Sequence, residues 1–288
     1  MFKGVIPALV TPFKDFNIDY EGLTRNIEYM EKYVDAFVPC GTTGEASTLG
    51  YEEHIDVVRF VVETSKLPVI AGSGSNSTKE AIWLTKEVEK AGADAAMLVT
   101  PYYNKPNDVG LFEHYKAIAK EVSIPMIVYN IPSRTGINVS PHLMLKLSEI
   151  ENIVGIKEAS GDLKQISDII RLVKKKNFTI LSGDDFLTLP ILAIGGKGVI
   201  SVAANVVPHL MKELYNSFIN GNIEKAIEMH HKLSPLFSAL SIDTNPIPVK
   251  KVMELIGLAG GKPRLPLVEL SVEKTEKIKA VLKDLELI

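Results

Sequence analysis

Residues 153–185 read IVGIKEASGDLKQISDIIRLVKKKNFTILSGDD. A short β-branched run (153–158) leads into a Gly/Ser segment. A helical pattern follows over 163–175, and a second apolar run (178–182) ends in SGDD. That order is a β-α-β unit. The same unit recurs on both sides of it. Further apolar runs lie at 4–10, 36–40, 68–71, 94–100, 125–130 and 198–202, separated by helical patterns at 20–34, 52–65, 78–91, 109–122 and 141–150. In the 78–91 pattern, Ile82, Leu84, Thr85 and Val88 have the three- and four-residue spacing of one buried helix face. The runs are apolar on both sides, as in parallel strands covered by helices. Eight of them predict an α/β protein with a closed (β/α)8 TIM barrel rather than an open doubly wound sheet. No G-x-G-x-x-G opens a helix after the first run, so a dinucleotide fold lacks its fingerprint. From residue 222 the pattern is all-helical, at 223–240, 247–257 and 272–285. We therefore expect a (β/α)8 catalytic barrel over 1–222 and a C-terminal helical region over 223–288.

The whole chain, 288 residues, suits one such barrel with an appendix. Its 32 basic and 35 acidic residues leave a net charge of −3, which gives no basic footprint for a nucleic acid. The one lysine run, Lys174-Lys175-Lys176, reads as a solvated helix end that suits the helix dipole. A single cysteine, Cys40, excludes an intrachain disulfide and a Cys-based zinc site, and points to a reducing, cytoplasmic compartment. The N-terminal apolar run is short and holds Pro7 and Pro12, a poor signal peptide. The longest apolar stretch, 189–207, is interrupted by Gly195, Gly196 and Lys197, so no membrane span is expected.

In a barrel of this kind the active site lies at the C-terminal ends of the strands. The chemically unusual residues fall there. Lys157 ends a run that should point into the barrel, where a lysine is costly unless paired or used. Glu158 or another barrel carboxylate would neutralise it. Alternatively, desolvation would push its pKa from about 10.4 toward about 7–8 and make it a Schiff-base nucleophile. Tyr129 ends the preceding strand within reach of Lys157; it is either a rim tyrosine or a proton donor and acceptor. Thr42 and Thr43 sit in a Gly-bounded turn, where Gly41 and Gly44 let backbone N–H groups face an anion. Tyr103 gives a weak signal by itself. Arg134, in a Pro-Ser-Arg-Thr-Gly turn, is either a surface ion pair or a fork for a carboxylate or phosphate. Asp184-Asp185 reads as a helix cap rather than a Mg²⁺ site. Gly195-Gly196-Lys197-Gly198 precedes the eighth strand, at the opposite mouth, and reads as a turn.

Six segments in order, GTTGE (41–45), TPYYNKP (100–106), YNIPSRTG (129–136), GIKEASG (155–161), SGDD (182–185) and NPIPVK (245–250), resemble the 4-hydroxy-tetrahydrodipicolinate synthase (dihydrodipicolinate synthase) family. The wider class I pyruvate-dependent aldolases, including N-acetylneuraminate lyase, share the lysine, tyrosine and GxTGE elements; PSRTG is the narrower marker. The resemblance implies that Lys157 forms an imine with pyruvate, that Tyr129 relays protons with Thr42 and Tyr103, and that this tyrosine comes from a neighbouring subunit. It implies that Thr43 and Ile200 hold pyruvate, that Gly183 contacts the bound intermediate, and that Arg134 receives the carboxylate of L-aspartate 4-semialdehyde. It further implies a lyase of lysine (diaminopimelate) biosynthesis that is a homotetramer, a dimer of dimers, with no cofactor and no metal. Some members bind lysine as an inhibitor at a subunit interface. Ser47, His54, Asn76, Glu80 and Tyr102 match that site, whereas Ala46 and Tyr51 depart from its pattern. Three rivals remain at this stage: a related aldolase or dehydratase acting on a 2-keto-3-deoxy sugar acid, a phosphate-binding barrel without covalent chemistry, and a non-catalytic scaffold.

Overall fold

Strands buried on both faces need a helix after each, and a right-twisted parallel sheet of eight can then close on itself. A computed structural model describes residues 1–288 and shows that outcome. In chain order the elements are β1 (Gly4–Pro7), β2 (Phe13–Lys14), β3 (Asn17–Ile18), α1 (Tyr20–Glu31), α2 (Tyr51–Thr64), β4 (Ile70–Gly72), α3 (Thr78–Lys90), β5 (Ala95–Val99) and α4 (Asp108–Glu121). There follow β6 (Met126–Asn130), α5 (Pro132–Thr135), α6 (Pro141–Ser148), β7 (Ile153–Glu158), α7 (Leu163–Leu172), β8 (Thr179–Ser182), α8 (Thr188–Ala193) and β9 (Gly198–Ser201). Four helices complete the chain: α9 (Pro208–Ile219), α10 (Ile223–Leu240), α11 (Ile247–Leu255) and α12 (Val272–Asp284).

Seven strands form one parallel sheet in the order β1-β9-β8-β7-β6-β5-β4. Residues 36–39 fill the gap between its two edges. Ala8 bridges Val38 and Phe37 bridges Val69, both in parallel. Val38 N donates to Pro7 O and Ile70 N to Phe37 O, so the eighth stave closes the TIM barrel.

Ile6, Val38, Ile70, Met97, Ile127, Leu181 and Ile200 fill its interior. A second cluster packs β5–β8 against α3, α4, α6 and α7. The largest joins β1, α1 and α2 to α9–α12, so the C-terminal helices share a core with the barrel wall. Side-chain oxygens of Ser77, Asn107, Ser140, Asp162, Asn222 and Ser271 cap their helices, which gives orphan N–H groups partners where the sequence supplies Ser, Asn or Asp. No helix is long and apolar enough to cross a membrane.

Two local expectations are corrected. The lysine run does not end a helix, because α7 stops at Leu172; Lys175 Nζ instead donates to the carbonyls of Ile150, Glu151 and Ile153, just beyond α6. Nor does the Asp184-Asp185 pair cap α8, whose N-cap is Leu187 with no side-chain bond. Asp184 Oδ1 accepts from Phe186 N, and Asp185 turns to the opposite loop, as described below.

Candidate active site

Parallel register places Tyr129 of β6 directly opposite Lys157 of β7. Alternation along β7 then sends Lys157 to one face and Glu158 to the other. Lys157 is buried, with its Nζ 4.1 Å from the centre of the Tyr129 ring. Burial pulls its pKa down to about 7; the Arg134 charge lowers it further, and the Asp185 carboxylate acts against both. Glu158 does not neutralise it. That carboxylate is engaged by Asn130 Nδ2, Gln165 Nε2 and the Ser160 N–H, in a network that ties the ends of β6, β7 and α7 together. Burial raises the Glu158 pKa.

Tyr129 is buried as well, and burial pushes its phenol up to about 12, opposed by the Thr42 hydroxyl and the Arg134 charge. Gly183 lies against the lysine: a Cβ there would meet Ala159 Cβ at 2.7 Å and Lys157 Cε at 3.2 Å. Any side chain at 183 would therefore crowd the amine. Ile200 is buried on β9 among the barrel-interior side chains.

Asp185 does not cap a helix and belongs to this centre. Its Oδ2 accepts from Val202 N (3.1 Å) and Ala203 N (2.9 Å), stitching the loop after β8 to the loop after β9. Burial raises its pKa to about 6, opposed by the Ser201 hydroxyl and the two amides.

Thr43 is buried, and its hydroxyl accepts from Asn245 Nδ2 at 2.9 Å. Arg134 is exposed, with no carboxylate within ion-pair distance, and its Nη2 donates to the main-chain carbonyl of Asn245 at 3.2 Å. Its charge is therefore free for a ligand, which sets aside the surface ion pair. Thr42, Tyr129 and Arg134 line a cavity of about 570 Å³. Ser47, His54, Glu80 and Tyr102 line the same cavity, as do Ala46 and Tyr51; Asn76 borders it, donating to Tyr102 O. Both oxygens of Glu80 are occupied, by the hydroxyls of Tyr51 and Ser75, and these bonds lower its pKa. His54 Nε2 donates to Gly72 O, and burial depresses its pKa.

Tyr103 stands apart. Its side chain is 90% exposed on a residue with φ of 71°, and it does not line the cavity. Within one chain the structure thus brings Tyr129 and Thr42 together but not Tyr103. No group of three His, Cys, Asp or Glu side chains is placed to hold a metal ion.

A sequence profile described as the dihydrodipicolinate synthetase family matches residues 1–285. The chain belongs to that family. A protein of Archaeoglobus fulgidus named 4-hydroxy-tetrahydrodipicolinate synthase is 74% identical over 289 residues, covering 100% of both chains. The crystal structure of dihydrodipicolinate synthase from Aquifex aeolicus superposes with a TM-score of 0.97 at 48% identity over 99% of each chain. The enzyme of Cyanidioschyzon merolae, solved with lysine bound, gives 0.96 at 41% identity over 100% of this chain and 99% of that one. The shared barrel and the full-length match place the buried lysine of β7 in a family of carbonyl-condensing enzymes.

Proposed function

We propose that the chain condenses pyruvate with L-aspartate 4-semialdehyde to give 4-hydroxy-tetrahydrodipicolinate, the first committed step of the diaminopimelate route to lysine. The observation that carries the reading is Lys157: a buried amine held near pKa 7, facing a buried phenol, with an unpaired arginine at the rim. Residues 1–222 are read as the catalytic barrel and 223–288 as its helical region, with every strand in the first part.

The neutral amine of Lys157 attacks the pyruvate ketone while the Thr43 hydroxyl and the backbone near Ile200 hold the carboxylate. Tyr129, kept protonated at neutral pH, gives its proton to the departing hydroxide, so water leaves and a protonated imine remains. The imine draws electrons from the adjacent methyl carbon, which gives its proton to the Tyr129 phenolate and becomes an enamine. The enamine carbon bonds to the aldehyde carbon of the second substrate, whose carboxylate Arg134 receives; the C=O π bond opens, its oxygen takes the proton back from Tyr129, and the enamine nitrogen becomes an imine again. That substrate's amine then adds to the imine carbon and expels Lys157 as free amine. Gly183 leaves room for the intermediate beside the lysine. Thr42 continues the relay from Tyr129, and Tyr103 of a neighbouring subunit completes it in a homotetramer. An exposed arginine with no acidic partner favours an anionic aldehyde over a polyhydroxylated sugar acid, and SGDD after β8 would repel a phosphate. The wall formed by Ser47, His54, Asn76, Glu80 and Tyr102 is the candidate lysine site; an assay rate unmoved by millimolar lysine removes it.

Pyruvate and borohydride, followed by intact-mass measurement and peptide mapping, will place a single reduced pyruvate adduct on Lys157. Folded protein that stays unlabelled, beside a labelled reference aldolase, overturns the reading. The pH profile adds a second expectation. Labelling at low pyruvate should rise about tenfold per pH unit below 7 and level off above it, since only the neutral amine attacks. A rise that continues to about pH 10 would mean an ordinary, solvated lysine.

A further inference from the structure

We propose that Asn245 is a positioning residue that aims Thr43 and Arg134, the two carboxylate-receiving groups of the site, at their substrates. The inference rests on the reading of those two groups given above. Asn245 lies in the loop between α10 and α11, far along the chain from both. Its two ends do different work. The side-chain Nδ2 donates to Thr43 Oγ1 at 2.9 Å, and the main-chain oxygen accepts from Arg134 Nη2 at 3.2 Å. A hydroxyl that accepts from an amide N–H has its own proton left over. The amide thereby makes Thr43 a donor, which is what a carboxylate requires. The carbonyl steadies the guanidinium without neutralising it, whereas a carboxylate in that place would cancel the charge.

The mount is rigid. Five residues beyond Asn245, Lys250 forms a fully buried ion pair with Glu45, two residues beyond Thr43. Ile247 N donates to Thr244 O and Lys250 N to Pro246 O, so the loop runs into α11 without slack. The helical region thus grips the GTTGE turn at two points and the arginine at a third. Asn245 Oδ1 is buried with no partner of its own, so Thr43 is the only side-chain partner of this amide.

Two substitutions separate aiming from mere support. Asn245→Ala removes the amide donor and keeps the main-chain carbonyl. It should raise KM for pyruvate about fivefold to tenfold and leave KM for the semialdehyde within about twofold. Asn245→Asp cannot donate to Thr43, accepts the threonine hydroxyl's hydrogen bond instead, and sets a negative charge in the loop whose backbone Arg134 contacts. It should raise both KM values about tenfold or more, with the larger share of the change relieved by added salt. In both variants kcat at saturation should fall less than the affected KM rises. Borohydride trapping at graded pyruvate gives the pyruvate affinity independently of turnover, on the wild type and on each variant. A wild type that traps pyruvate, with an Ala variant whose two KM values stay unchanged or move together, overturns the role of Asn245 alone. A wild type that traps none overturns it together with the assignment of Lys157. Should the Asp variant fail to fold, the selective pyruvate effect in the Ala variant decides the matter alone.

Discussion

Lys157→Met should lose activity by about 10⁴-fold or more and yet yield a protein that resists heat better than the wild type. The first effect follows from removing the nucleophile: no other lysine shares this buried face, and without an imine there is no electron sink. The second follows from linkage. In the unfolded chain this lysine titrates near its ordinary value of 10.5, whereas in the fold burial holds it to about 7. Between those two values the unfolded state binds more protons, so the lysine's penalty on the fold is absent above about pH 10.5 and grows as pH falls toward 7. At pH 7 that penalty is about 4 kcal/mol, at about 1.36 kcal/mol per unit of pKa. Methionine has similar length, no charge, and fits an apolar barrel interior. The variant's melting temperature should therefore exceed the wild type's by several degrees at pH 7, and the gap should close as pH rises toward 10. Equal melting temperatures across that range would mean that the amine is not desolvated in the fold. Tyr129→Phe keeps the ring against the amine and removes only the proton donor, so it should cost about 10²-fold in turnover with little change in stability.

The parts of this site that were legible in the sequence are those encoded by local pattern. β-branched runs bounded by Gly and Pro marked all eight staves, and the end of a stave marked Lys157 and Tyr129 as neighbours. The parts that were not legible depend on contacts across the chain. The β2–β3 hairpin turns on Asp15 and Phe16, both at positive φ, where a sequence reader looks for Asn-Gly. Asp185 has the residue type and position of a cap, but its carboxylate reaches two amides some seventeen residues on. Asn245 and Lys250 sit in a segment with a family resemblance and no local sign of chemistry, because their partners lie about 200 residues earlier. Tyr103 has a weak signal in the sequence, and the fold leaves its ring exposed and outside the cavity.

Lys250→Met tests how firmly that distant segment is bound to the site, and it should destabilise the fold by about 3–5 kcal/mol. Lys250 and Glu45 are both essentially inaccessible to solvent, and apart from their ion pair neither Lys250 Nζ nor Glu45 Oε1 has a hydrogen-bond partner. Removing the ammonium leaves a carboxylate oxygen buried without a counter-charge. The surroundings cannot replace it. The Lys250 charge rests 4.0 Å from the centre of the Phe13 ring, and the Arg264 guanidinium, 4.3 Å from the same ring, is committed to Glu53 through both of its terminal nitrogens. The other Glu45 oxygen already accepts from Arg264 N. Glu45→Gln alone should cost a comparable amount, since it strands the ammonium. The double replacement should recover most of the loss, because it leaves no buried charge unpaired and keeps only the smaller cost of burying an amide. Chemical denaturation of the four proteins gives the coupling directly, and a value under about 1 kcal/mol would mean that the pair is a spectator. Activity gives the second half of the argument. Glu45 is the last residue of the turn that carries Thr42 and Thr43, so a variant that folds but lets this turn shift should lose pyruvate affinity in parallel with stability. The double variant should regain stability, because no buried charge is left unpaired, whereas pyruvate affinity should stay low, because the ion pair that fixes the turn is gone.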